Sequence, residues 1–99
     1  MLESQHVYIL IIKGNFLSSE GIFDGDYVVI ESRNYANNGE IALIITDKEK
    51  NIATLRKVLK MNEQLVLLSP NPTAKETIIK EEEIKIQGVV IGLVRDYKK

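Results

Sequence analysis

The chain has 99 residues, with 13 Lys and Arg against 14 Asp and Glu and a formal net charge of -1. That is enough for one modest core, and it supplies no overall field to draw in nucleic acid or an anionic membrane. Cysteine is absent, which excludes disulfides, thiolate chemistry and cysteine-ligated zinc, and the single histidine, His6, makes no metal site without several carboxylate partners.

Met1 to His6 reads as a short polar leader. Val7 to Ile12 is the longest uninterrupted apolar run, too short to cross a bilayer or to form a secretion signal core. Rich in β-branched residues, it suits a strand buried on both faces. Lys13 to Asp26 holds Gly14, Gly21 and Gly25 without a sustained period, the mark of a loop or one short helical turn. Tyr27 to Glu31 is again a strand. In Ser32 to Gly39, the pair Asn38-Gly39 provides the positive φ of a tight reversal. Glu40 to Thr46 and Asn51 to Leu59 flank the charged turn Asp47 to Lys50 as a hairpin. Ile52, Leu55, Val58 and Leu59 also fit helical spacing, but Thr54, Val58 and the neighbouring strand signals favour a strand. Gln64 to Leu68 follows, then Ser69-Pro70-Asn71-Pro72, whose prolines end any ladder. Thr77 to Lys80 reads as a short edge strand, Glu81 to Glu83 as a solvated turn, Ile84 to Val94 as a long closing strand broken by Gly88 and Gly92, and Arg95 to Lys99 as a solvated tail. The expectation is one all-β domain over residues 1–99 with mostly antiparallel pairing.

Several of these stretches carry a resemblance. The order Gly14, then Gly21-Ile22-Phe23-Asp24-Gly25-Asp26 before an apolar strand, then Asn38-Gly39-Glu40 before another, is similar to the LexA, UmuD and phage-repressor family of serine-lysine peptidase domains. Ala53-Thr54-Leu55-Arg56-Lys57-Val58 resembles that family's threonine-x-lysine-arginine strand. Leu67 to Pro72 resembles its leucine-x-proline-x-asparagine turn, and Ile86 to Arg95 its closing strand. The resemblance covers about nine tenths of the chain in the family's order, and it implies a LexA C-terminal-domain-like, signal-peptidase-like β fold. On chemistry alone, Gly14, Gly21, Asp24, Gly25, Asp26, Asn38 and Gly39 are turn residues, the aspartates bonding their own backbone.

The family's nucleophilic serine follows a glycine with one residue between them, and a lysine on a later strand takes its proton. Carried onto this chain, the serine position is Phe16, in Gly14-Asn15-Phe16-Leu17, and the lysine position is Arg56. Phenylalanine has no atom to attack a carbonyl, and a guanidinium does not serve as a neutral base. The resemblance therefore implies a pseudo-peptidase with no catalytic residues. A shifted dyad of Ser18 or Ser19 with Lys57 is the enzyme alternative, opposed by the alternation of a strand, which turns Lys57 away from the side of Arg56. The dipeptides Ala-Gly and Cys-Gly, which self-cleaving members carry, do not occur in the chain, and no helix-turn-helix is expected in it. Phe16 is expected to fill the vacated cleft; an exposed Phe16 beside an open groove at Arg56 would point to peptide binding instead.

The function implied is dimerisation, or binding of another regulatory protein, in transcriptional regulation of the SOS-repressor type. A decoy forming mixed dimers with an intact repressor is a further alternative. The closing strand, through Gln87, Val89, Val90, Ile91, Leu93 and Val94, is the expected self-pairing surface. A cytoplasmic protein is expected, with no cofactor or metal, no membrane and no direct nucleic-acid contact by this domain.

Overall fold

A computed structural model describes residues 6–46, 53–68 and 77–95. The polar leader before His6, the charged turn at 47–50, the Ser69 to Pro72 turn and the tail beyond Arg95 lie outside the described residues. Among the described residues there are seven strands: β1 Val7–Ile11, β2 Tyr27–Ser32, β3 Ile41–Thr46, β4 Ala53–Met61, β5 Gln64–Leu68, β6 Thr77–Lys80 and β7 Ile84–Val94. They form one sheet in the order β1-β2-β7-β3-β4-β5-β6, every neighbouring pair antiparallel. The expected all-β antiparallel domain is therefore present, with β4 a strand and β6 at a sheet edge. No α-helix occurs among the described residues.

The closing strand lies between β2 and β3, and it carries one extra residue toward each. Val29 pairs Gly92 while Ile30 pairs Val90, which leaves Ile91 over. Leu43 pairs Gly88 while Ile44 pairs Ile86, which leaves Gln87 over. Such bulges bend a strand and raise its twist. Gly88 sits between the two bulges and is paired to both neighbours, Ser32 on one side and Leu43 on the other.

Side-chain alternation in the central strands feeds two cores. Leu43, Leu55, Val28 and Ile30 join Ile12, Leu17 and Ile22 in one, while Ala42, Ile44, Val58 and Val89 join Ala36, Leu65 and Leu67 in the other. Since successive strand residues face opposite ways, the two clusters occupy opposite faces of the sheet. The end strands serve one core each. β1 was expected to be buried on both faces, but Val7, Ile9 and Ile11 are each about half exposed while Tyr8 and Leu10 pack inward. An unbroken apolar run does not report a strand's place in the sheet, and β1 is an edge with nothing on its outer face among the described residues.

The turns follow their chemistry. Gly39 has φ 91°, and the Asn38-Gly39 reversal docks on β4: Gly39 N donates to Val58 O at 2.7 Å and Lys60 N to Asn38 Oδ1 at 2.9 Å. Arg33 clamps the corner after β2, donating to Glu31 at 2.8 Å and to both oxygens of Glu40 at 3.0 and 3.2 Å. Glu81 to Glu83 form an exposed 3-10 turn, with Lys80 N donating to Glu83 Oε1 at 3.1 Å.

Candidate functional site

The loop from Ile12 to Asp26 is a closed frame. At its base Ile12 N donates to Asp26 O and Gly25 N to Ile12 O, both at 2.8 Å. Across it Gly14 N donates to Asp24 Oδ1 at 2.6 Å and Asp24 N to Asn15 Oδ1 at 2.9 Å. Gly14, Gly21 and Gly25 have φ of 93°, 79° and 89°, a region a β-carbon disfavours. Leu17 and Ile22, 3% and 5% exposed, anchor the loop in the first core.

Asp26 locks the frame. It is buried at 2% exposure, accepts from Phe23 N at 2.8 Å, and receives Arg95 Nε and Nη2 at 2.8 and 2.7 Å. Arg95 Nη2 also donates to Gly21 O at 3.0 Å, and the guanidinium lies 5.2 Å from the centre of the Phe23 ring. Arg95, expected to be solvated, has a half-exposed side chain and also ties the end of β7 to the loop. A contact spanning 69 residues leaves no local mark in sequence. The Arg95 hydrogen bond, with that from Phe23 N, pulls the Asp26 carboxyl down to about 2 from 3.8. A carboxyl whose folded pKa is depressed stabilises above its unfolded pKa and loses that stabilisation as pH falls through the folded one. Asp26→Asn is accordingly expected to lower the melting temperature by several degrees at neutral pH. Melts at a series of pH values should show the gap from wild type closing between pH 3.8 and about 2.

Beside this frame is an open cleft of about 400 Å³, lined by Leu10 to Lys13 and Phe16 on one side, Ala53 to Arg56 on the other, and Leu43. Each side contributes four consecutive residues, whose side chains alternate between faces, so the strand edges themselves form the walls. β1 pairs only with β2, and β4 meets β5 only from Lys57 onward. Among the described residues, neither edge has a partner along the cleft.

Phe16 does not fill this space. It stands on the wall at 39% exposure, whereas its neighbour Leu17 takes the core position. The expectation of a plugged cleft is corrected for that reason: Leu17 and Ile22 anchor the loop in the first core, and Phe16 is left over. Arg56 faces Phe16's cleft from just beyond the β4–β5 ladder, where Nε donates to Leu68 O at 2.8 Å and Nη2 to Leu67 O at 3.0 Å. Burial lowers its pKa from the usual guanidinium value, and it remains a cation at neutral pH.

Lys57 does not join Arg56 at the cleft. Its Nζ lies 3.3 Å from Glu20 Oε1, in the same 3-10 turn, Ser18–Glu20, that carries the exposed Ser18 and Ser19. Of the closing-strand residues, Val89 is wholly buried in the second core and offers no outer surface, while Val90 is partly buried against the first. Gln87, Ile91, Leu93 and Val94 are exposed. Ile11 pairs Tyr27, which pairs Val94, and Ile9 pairs Val29, which pairs Gly92. These residues share one outer face of β1, β2 and β7. Lys13 in the cleft and the β1 part of this face were legible only once strand order was known.

Among the described residues there is no group of three or more His, Cys, Asp or Glu able to hold a metal, and no helix long and apolar enough to cross a membrane. A family model described as Peptidase S24-like matches residues 1–91. With its closed glycine and aspartate loop set beside a cleft on an antiparallel sheet, the chain belongs to the Peptidase S24-like family, that of LexA and UmuD.

Proposed function

We propose that this domain is a catalytically degenerate S24-like module that works through protein–protein contact, as a dimerisation or interaction element in transcriptional regulation. One observation carries the reading: Phe16 and Arg56 face one cleft from opposite walls, at the positions where the family resemblance places nucleophile and base. An aromatic ring with no nucleophilic atom and a permanent cation do not make an acyl-transfer dyad. The shifted alternative is disfavoured because Lys57 Nζ is engaged by the Glu20 carboxylate at 3.3 Å and Lys57 is not among the residues that line the cleft with Phe16 and Arg56. Labelling with a fluorophosphonate probe tests this. No serine is expected to react, and stoichiometric labelling of Ser18 or Ser19 that disappears in Lys57→Ala would overturn the proposal.

Self-association is supported by the outer face of β1, β2 and β7. Val7, Ile9, Ile11, Tyr27 and Val94 are 38–59% exposed there, a cluster of large apolar groups of the kind that marks an interaction surface. Ile9, 59% exposed, can be changed without opening a core. A central apolar anchor is worth about 2 kcal/mol in an interface, so Ile9→Asp should weaken the dimer roughly 30-fold. Sedimentation equilibrium of both proteins reads this directly, and a wild-type monomer at high micromolar concentration would remove the dimer.

A further inference from the structure

We infer that Asn38-Gly39 is a latent self-modification site, at which the Gly39 main-chain nitrogen displaces the Asn38 side-chain amide as ammonia, and that the Val58 carbonyl is the latch that withholds this reaction. The latch opens with the corner between β2 and β3 alone, so a brief local opening can leave a permanent mark on the chain.

The reaction consumes only water. Gly39 N gives its proton to solvent and attacks Asn38 Cγ; the new N–C bond closes a cyclic succinimide while the C–N bond of the side-chain amide breaks, and ammonia leaves with a proton taken from solvent. Water then opens the ring at either carbonyl, to aspartate or to isoaspartate. A side chain on the following residue hinders the attack, and glycine has none. Every other asparagine in the chain precedes a residue that carries one. Asn38 and Gly39 are both exposed, so solvent base reaches them.

Docking of the corner on β4 holds the reaction back. Gly39 N donates to Val58 O at 2.7 Å, so the proton that must leave is committed to a carbonyl, and Val58 is wholly buried in the second core and does not yield. Lys60 N donates to Asn38 Oδ1 at 2.9 Å, which fixes the side-chain amide and draws electron density from its carbonyl carbon. One bond withholds the nucleophile while the other polarises the electrophile. Glu40 pins the rest of the corner: its carboxylate accepts from Asn37 N at 2.7 Å and from Arg33, and its carbonyl accepts from Val58 N at 2.9 Å. The β3–β4 ladder runs from Ile41 and Lys57 onward, so the corner can lift while that ladder stays paired. The two products differ in what they do to it. Aspartate at position 38 still accepts from Lys60 N, whereas isoaspartate inserts a methylene into the main chain, and Gly39 N and the side-chain acceptor no longer meet β4 together.

Time courses on the whole chain test this, at mildly alkaline pH, folded and in unfolding guanidinium chloride. After digestion, mass spectra score conversion in the peptide that contains Asn38, and isoaspartyl methyltransferase labelling counts isoaspartate there. Conversion should be at least roughly 30-fold slower in the folded protein, since two hydrogen bonds must break at about fivefold each. Low denaturant should leave the folded rate nearly flat, because lifting a corner exposes little surface. Glu40→Ala removes the carboxylate that holds Asn37 N and Arg33, and it should speed the folded reaction several-fold without changing the unfolded rate. If Glu40→Ala does not fold, Arg33→Gln, which keeps the contact between Asn37 N and Glu40, should give a smaller acceleration in the same direction. Asn38→Asp should melt close to wild type, while the isoaspartate fraction separated from aged protein should melt lower. Equal folded and unfolded rates overturn the latch. A folded rate that climbs with denaturant as steeply as global unfolding does overturns the local opening.

Discussion

Gly88→Ala is expected to lower the melting temperature of this domain by roughly 5–20 °C, the range given by an overpacking cost of about 1–3 kcal/mol in a domain of this size. Gly88 is buried and sits in the ladder between β2 and β3, where a β-carbon would overlap the Ile30 side chain and lie 2.9 Å from the Glu31 carbonyl oxygen and 3.1 Å from the Tyr8 hydroxyl. The carbonyl belongs to a paired strand and has little freedom to retreat. The overlap with Ile30 is equally confined, since Ile30 is wholly buried in the first core. Gly92→Ala is the matched control. It lies on the same strand, and its added carbon would meet Val29 at ordinary contact distances of 3.5 and 3.6 Å, so its melt should move little. Thermal melts of the two variants side by side check both statements, and equal losses would show that close approach at Gly88 does not set the cost.

That contrast bears on what can be read in a chain without its fold. Gly88 and Gly92 interrupt the same apolar run and look alike in sequence. Their difference arises from the two bulges that place Gly88 against Ile30 and Glu31. Local chemistry was legible throughout: the glycines of the Gly14 to Asp26 loop, the Asn38-Gly39 reversal and the strand identity of β4 all depend on neighbours close in the chain. Strand order was not legible, and three corrections trace to it. β1 is half exposed because it is an edge. Val89 is unavailable to a partner because β7 is interior. Arg95 is a clasp because β7 ends beside the Gly21 to Asp26 turn. Phe16 was misplaced for a smaller reason, since its neighbour Leu17 holds the core position at that point of the loop.

The sharpest functional expectation is a gain of reactivity. The double variant Phe16→Ser with Arg56→Lys should react with a fluorophosphonate probe at least about 100-fold faster than either single variant, the low end of what a positioned general base contributes. The two residues already face one cleft, and the loop that would present a nucleophile is held by the Gly14–Asp24 and Asp26–Arg95 contacts independently of residue 16. Burial lowers the pKa of Arg56 without discharging it; the same desolvation acting on an amine in Arg56→Lys would favour the neutral form that takes a proton. Phe16→Ser alone leaves a hydroxyl with no base, and Arg56→Lys alone leaves a base with nothing to activate, so neither single variant should label. A folded double variant that stays inert would break the assignment of positions 16 and 56 to the two halves of a dyad. Labelling of the double variant at position 16, with the wild type silent, would locate the loss of chemistry in two side chains on an otherwise intact frame.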